Sequence, residues 1–319
     1  MSPDASHSVP QSRPMLAIGL KVGSVVAFMG MATAIKYAGQ VPAGQIVFFR
    51  SVFAIVPICA YLLFVGELAG AWRTSHPVGH VMRGMVGVTS MALGFYGLTR
   101  LPLPDATAIG YARPLVTVML GALLLGEVVR RYRWGAVIVG LFGVLIISWP
   151  KLQLFRGEGG FGGDEALGVV ATFLSACIAG LAMVLVRRLL VTERTATIVL
   201  YFSVTASVFA LLTIPFGWEA LNMTQTIALI LSGFCGGFGQ IMLTESYRHG
   251  EVSTIAPFEY TSVLLSIVIG YFVFAEVPGW AMIVGSAIVT ASGIFIIYRE
   301  RQIGLKRKGV ARRSVTPQG

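Results

Sequence analysis

Apolar residues occur along the chain in ten long blocks, each bounded by proline, glycine or charged residues. A helix needs about 20 mostly apolar residues to cross a hydrocarbon core about 30 Å thick. Each block is close to that length and is therefore predicted to be one membrane-spanning helix. The blocks are residues 15–36, 44–65, 79–98, 105–125, 134–149, 166–186, 196–215, 225–247, 252–275 and 280–298.

Composition supports a membrane protein. Of the 319 residues, 55% are hydrophobic and 12% are charged, whereas a soluble domain carries about 25% charged residues. The net charge of +10 does not predict a nucleic-acid partner, because the basic residues concentrate in alternate loops and in a tail from Arg299 to Arg313. That distribution follows the positive-inside rule. It predicts a multi-pass protein of the cell inner membrane with both termini in the cytoplasm.

The two halves of the pattern resemble each other. The fourth block ends in Leu-Leu-Gly-Glu at Glu127, and the ninth ends in Val-Phe-Ala-Glu at Glu276. Five spans is an odd number, so the second half must enter the membrane upside down relative to the first. Inverted repeats of this kind are typical of transporters, with the substrate near the midplane between the halves. Glycines follow each motif at similar spacing: Gly135 and Gly143, then Gly285 and Gly293.

The stretch from Asp105 to Glu127 resembles the EamA repeat of the drug/metabolite transporter superfamily, and so does the stretch from Ile255 to Glu276. The Gly239-Gln240 pair also matches a bacterial branch that includes riboflavin and S-adenosylmethionine carriers. The resemblance implies an all-α membrane protein of ten helices, arranged as two inverted five-helix repeats around a central cavity, with alternating access. Val263 stands where the first repeat has Pro114, so the two cavity walls are expected to bend differently.

The expected organisation has five parts. They are a cytoplasmic N-terminus at residues 1–14, a first repeat at 15–150, an extracytoplasmic glycine-rich linker at 151–165, a second repeat at 166–298 and a basic cytoplasmic tail at 299–319.

Ionisable residues deep in a membrane are energetically expensive and usually functional. Arg50, Arg113, Glu245 and Glu259 lie inside the predicted spans. Arg113 is predicted either to recognise an acceptor-rich substrate group or to form a static ion pair, with Glu259 facing it across the midplane. Arg50 is predicted to bind substrate or to extend toward the outer surface. Glu245 is predicted to pair with Arg248 three residues later.

Glu259 follows Pro257, a residue that can kink a helix. A buried carboxylate beside such a kink could couple transport to protons, and the alternative is a capping or ion-pair role. Glu276, at a helix C-terminus, is expected to bond to a neighbouring helix end or to an arginine. Further substrate contacts are expected from aromatic rings and from one amide, with interface belts and interhelical hydrogen bonds as the alternatives: Tyr96, Tyr111, Tyr260 and Gln240.

These features predict a secondary-active transporter of a small organic metabolite. The first specific expectation is uptake of riboflavin or a similar vitamin or nucleoside-like aromatic compound. Export of an amino-acid derivative or a drug-like metabolite is the alternative, and a polytopic membrane enzyme is the rival class. No catalytic residue, metal or cofactor is expected. The partners expected are the substrate, the lipid bilayer and a proton or counter-transported solute, with a homodimer as one form of assembly.

Overall fold

The computed structural model describes residues 14–125, 130–152, 163–249 and 252–313, and this part of the chain is helical with no strand. The helices are α1 Pro14–Tyr37, α2 Ala43–Val65, α3 Leu68–Ala71, α4 Pro77–Arg100, α5 Leu103–Gly110, α6 Ala112–Leu125, α7 Arg131–Leu152, α8 Asp164–Leu189, α9 Thr195–Leu211, α10 Met223–His249, α11 Val252–Ile255, α12 Thr261–Phe274 and α13 Trp280–Arg313, with 3-10 turns at Ile214–Phe216 and Ala256–Tyr260.

Nine helical stretches in the described ranges are long and apolar enough to cross a membrane. The tenth, α9, has 17 residues, or about 26 Å at 1.5 Å per residue. The ten predicted spans are therefore present as helices, although the fourth and ninth are interrupted. The helix α13 continues to Arg313, so the expected tail begins as a helical extension. Glu127 and residues 153–162 of the linker lie outside the described residues.

Helix packing follows the internal repeat. The helix α1 packs along α10, α4 packs along α8, α2 crosses α9, and α7 crosses α13. In the repeat, α1 corresponds to α8 and α4 corresponds to α10. Exchanging the halves therefore turns the first pair into the second and leaves the other two pairs unchanged. That is the packing expected of two inverted five-helix repeats.

The crossing of α7 and α13 depends on two glycines. A Cβ placed on Gly143 would lie 2.9 Å from the carbonyl oxygen of Gly285, and one on Gly285 would lie 2.6 Å from that of Gly143. Both distances are too short for a side chain, so the two backbones touch. Small residues allow such contacts in lipid, where apolar surface alone does not drive helix association. Gly143 and Gly285 are two of the four glycines that the repeated motif singled out.

The bundle has two ends, defined here by their loops. The linker face carries residues 38–42, 101–102, 212–222 and 275–279, and the termini face carries residues 66–76 and 190–194. At the termini face, Glu193 accepts hydrogen bonds from the hydroxyl of Thr74, from the backbone N–H and hydroxyl of Ser75, and from the N–H of His76. The carboxylate therefore holds this loop at the start of α4, where the helix dipole favours a negative charge.

We predict that Glu193→Gln lowers the thermal stability of the purified protein, by about 1–3 kcal/mol if several charge-assisted bonds weaken. Burial opposes ionisation of the carboxyl, but hydrogen bonds from Thr74, Ser75 and His76 outweigh that effect and lower the pKa of Glu193 from 4.5 to about 2. The stabilisation is therefore complete at neutral pH and is lost as the pH falls from about 4 to about 2. Melting curves of the wild type and the variant should converge in that window. Glu67→Gln, on an exposed residue of the same face, should change little.

Candidate functional site

Two helix interruptions mark the centre of the bundle. In the first half, α5 ends at Gly110 and α6 begins at Ala112. Pro114 explains this break, because its missing N–H leaves the carbonyl of Gly110 without its helical partner. In the second half, Pro257 opens the 3-10 turn Ala256–Tyr260 between α11 and α12. Interrupted helices at corresponding positions of two halves are the feature that best marks a transporter's binding site. The two breaks have different lengths: one residue separates α5 from α6, whereas a five-residue 3-10 turn separates α11 from α12.

The two breaks meet through a pair of tyrosines. The rings of Tyr111 and Tyr260 stack with centroids 4.8 Å apart and planes inclined by 27°. The Tyr111 hydroxyl donates to the backbone carbonyl of Glu259 at 2.6 Å and lies 2.5 Å from the Ser262 hydroxyl. Tyr260 follows Tyr111 by 149 positions, the same spacing that separates Glu127 from Glu276. The stacked rings are therefore repeat-related residues, and they lie where the halves meet.

Glu259 forms an ion pair beside this stack, and its partner is Lys21 of α1. The Lys21 Nζ lies 3.3 Å from a carboxylate oxygen of Glu259. The lysine side chain is 3% exposed and the glutamate side chain 51% exposed. Each residue lies seven positions from the termini-face end of its span, a depth of about 10 Å. The Lys21 Nζ also lies 5.7 Å from the ring centroid of Tyr247 on α10.

The ion pair corrects one expectation. Arg113 was predicted to face Glu259, but the salt bridge comes from Lys21, and no ion pair joins Arg113 to a carboxylate of the described residues. Arg113 is exposed in the first turn of α6 and lies within electrostatic range of Tyr111. The guanidinium therefore remains near the stacked tyrosines, with its charge available to a third group.

The ion pair has no counterpart in the other half. Gly110 precedes Tyr111 as Glu259 precedes Tyr260. The helix α8, which corresponds to α1, carries no charge between Glu165 and Arg187. The two halves therefore have similar helix arrangements, but only one of the two equivalent positions carries an ion pair.

The remaining predicted residues lie elsewhere in the bundle. Arg50 is buried on α2, and Gln240 is half-buried on α10. The ring of Tyr96 is covered by the guanidinium of Arg100, 3.6 Å from its centroid, toward the linker face and not at the tyrosine stack. Glu245 accepts from Arg248 at 2.9 Å, which is the i,i+3 pair predicted. The carboxylate also accepts from the Tyr61 hydroxyl at 2.5 Å, and His249 Nδ1 lies 3.7 Å from it.

Ion pairs tie the helix ends together at the linker face. Glu276 pairs with Lys36 at 2.9 Å and accepts the N–H of Leu103, the first residue of α5, at 2.7 Å. Lys151 lies 3.5 Å from Asp105. The bond from Glu276 to a neighbouring helix end agrees with its predicted role. The contacts of Glu276 join the two halves at this face, and Lys151–Asp105 joins two helices of the first half.

Sequence reasoning missed two intramembrane cations, Lys21 and Arg83. Each is a charged residue in a mostly apolar block, six or fewer positions from the block's first residue. A basic side chain near a span end is normally read as extending to the surface. The sequence did contain a signal for both residues, because a charged residue inside a membrane span is usually functional.

This architecture and this site define a multi-pass membrane transporter built from two inverted repeats. The model of the EamA-like transporter family matches residues 15–149 and 166–299. The chain belongs to this family, within the drug/metabolite transporter superfamily, as the sequence motifs predicted.

Similar proteins include transporters named for different solutes. An S-adenosylmethionine uptake transporter of Rickettsia prowazekii (strain Madrid E) is 25% identical over 268 residues, covering 84% of this chain and 87% of its own. The pseudopaline exporter CntI of Pseudomonas aeruginosa (strain UCBPP-PA14) is 28% identical over 272 residues, covering 84% and 90%. A solved crystal structure matches with a TM-score of 0.61 at 21% identity, covering 89% of this chain and 98% of its own. This last likeness shows the fold.

We predict that Tyr111→Phe lowers the thermal stability by about 1–3 kcal/mol, because the Glu259 carbonyl loses a buried donor. Tyr260→Phe is the matched control. It keeps the ring stack, and no hydrogen bond of its hydroxyl is found within the described residues. Thermal melting in detergent measures both. Equal melting temperatures for the two variants would show that the Tyr111 hydroxyl does not hold the breaks together.

Proposed function

We propose that this protein is a secondary-active carrier that moves a zwitterionic, amino-acid-derived metabolite across the inner membrane by alternating access. The observation that carries the proposal is the half-exposed Glu259, held by buried Lys21 beside stacked tyrosines at the helix breaks. A site of this kind offers a carboxylate and aromatic faces to a cationic group. The substrate class named first is S-adenosylmethionine and compounds of similar charge.

Water access to the site supports a carrier. Glu259 and Arg113 are both exposed, yet they lie well inside their spans. A charge facing hydrocarbon at that depth is strongly unfavourable, so we infer that both side chains line an aqueous cavity. The contacts Lys36–Glu276 and Lys151–Asp105 hold helix ends together at the linker face. The cavity is therefore proposed to open at the termini face, which the positive-inside rule assigns to the cytoplasm.

The charge of the site favours one solute class. S-Adenosylmethionine carries a sulfonium, an α-amino acid and an aromatic base. Cations bind both to carboxylates and to tyrosine faces, and a flat base can stack on a ring. Riboflavin, the first expectation, would use the rings but has no positive charge for Glu259. The relatives described above are named for S-adenosylmethionine and pseudopaline, so riboflavin becomes a competitor to test and not the leading substrate.

Glu259 also suits a coupling role. Lys21, a proton and a cationic solute would compete for the same carboxylate oxygens, since each neutralises the charge. Binding of the solute would release Lys21, and its departure would restore the pair. This exchange couples occupancy to helix position, because Lys21 and Glu259 belong to opposite halves. The competition operates in either direction of transport, and the two relatives include both an uptake transporter and an exporter.

We predict that the reconstituted wild type catalyses counterflow of labelled S-adenosylmethionine and that Glu259→Gln reduces it about tenfold or more, because a charge-assisted contact is lost. Glu245→Gln is the matched control, since this carboxylate lies near the termini face but pairs locally with Arg248. Counterflow also separates a carrier from a membrane enzyme. Full counterflow by the Glu259 variant, or competition by riboflavin and not by amino-acid-derived cations, would contradict the proposal.

A further inference from the structure

Two arginines of the first half lie inside the bundle away from the Lys21–Glu259 pair. Arg50 is on α2 and its side chain is only 8% exposed. Arg83 is on α4 and is half-buried. Arg50 lies seven residues from the linker-face end of α2, and Arg83 lies six from the termini-face end of α4. These depths are about 10 Å and 9 Å, so both residues are well inside the membrane.

Neither arginine has an acidic partner. Within the described part of the chain, no carboxylate forms an ion pair with either residue, and the Nε atoms of both lack a hydrogen-bond acceptor. One terminal nitrogen of Arg83 is also buried without an acceptor. The charged group that acts on Arg83 is Arg50, whose positive charge repels it.

The surroundings of the two arginines are apolar. The guanidinium carbon of Arg83 lies 3.6 Å from the ring centroid of Phe202 on α9. Arg50 packs closely against Gly236 of α10, since a Cβ on this glycine would lie 3.2 Å from the Arg50 Nε and 3.0 Å from the sulfur of Met31. A buried charge without a counter-ion destabilises a protein strongly. Both guanidinium groups have buried nitrogens without an acceptor, and their positive charges repel each other, so a negative group would be favourable beside either.

The internal repeat places an uncharged ring, next to the Arg83 guanidinium, at the position equivalent to that of Arg50. Gly236 lies against Arg50 as Gly87 lies against Phe202. Phe202 thus occupies in the second half the place that Arg50 occupies in the first. An apolar ring performs the packing there, so the guanidinium of Arg50 serves another purpose.

We propose that Arg50 and Arg83 together bind a carboxylate of the transported solute. The planar fork of arginine matches a carboxylate in a bidentate arrangement. The inference rests on the proposed function, because it assigns the second end of the same solute. Met31, beside the Arg50 site, follows Lys21 on α1 by ten residues, or about 15 Å. The Arg50 end of this site therefore lies deeper in the bundle than the Lys21–Glu259 pair.

The test compares S-adenosylmethionine with its decarboxylated form, which keeps the sulfonium and the adenosine, on purified protein in nanodiscs. Arg83→Gln and Arg50→Gln should each weaken binding of the carboxylate-bearing ligand about 10- to 100-fold and leave the decarboxylated ligand nearly unchanged. Arg73→Gln removes an exposed charge at the termini face and should alter neither affinity. Equal weakening of both ligands by Arg83→Gln, or no weakening of either, overturns the proposal.

A second measurement tests the carboxylate site without assuming which substrate the protein transports. Without ligand, Arg83→Gln should raise the melting temperature, because it removes the repulsion between two buried charges, whereas an arginine needed only for packing should lower it on removal. Succinate should stabilise the wild type more than phosphate or chloride at matched ionic strength, and Arg83→Gln should abolish that difference. If the wild type fails to bind S-adenosylmethionine but shows this succinate effect, the proposed substrate is wrong and the carboxylate site stands. If succinate and phosphate act alike, the carboxylate assignment is wrong.

Discussion

The hydrogen bond from the Tyr111 hydroxyl to the carbonyl of Glu259 is the contact on which the centre of the molecule depends. In hydrocarbon, an interrupted helix leaves backbone groups that only protein or trapped water can satisfy. Here each interruption lies against the other, so the irregular backbone is enclosed by protein. The breaks can therefore exist at the midplane, where they hold Glu259, Arg113 and the two stacked rings in one place.

The packing of the helices follows the internal repeat, whereas the placement of the charged residues does not. Packing follows the repeat closely, with the α1–α10 and α4–α8 pairs interchangeable and with the touching glycines, Gly143 and Gly285, on the equivalent helices α7 and α13. The ionisable groups do not follow it. Lys21, Glu259 and Arg50 have uncharged counterparts, so the frame supplies two similar rigid halves while chemical recognition is confined to a few unsymmetric positions.

The sequence predicts the number and bounds of the spans well, because a helix that crosses lipid must be long and apolar. Proline, glycine or charged residues mark where each span ends. The repeated Glu127 and Glu276 motifs were enough to define the halves. The partner of Glu259 was not predictable in the same way, because α1 meets the 3-10 turn only after the halves pack. Arg83 was not predicted for a related reason, because the burial of its side chain depends on Phe202 of α9, which is distant in the sequence. Contacts between helices determine the partners and the burial of these residues. The spacing of the residues along the chain does not reveal those contacts.

The stack of Tyr111 on Tyr260 has one further consequence. The two rings come from equivalent positions of inverted halves, so the axis that exchanges the halves passes between them. In the alternating access proposed above, each half takes up the conformation of the other, and points on that axis keep their surroundings. The tyrosine pair therefore keeps the same surroundings in both states. Because only Tyr111 donates to a carbonyl of the other half, substitutions at the two positions change the contact between the halves unequally.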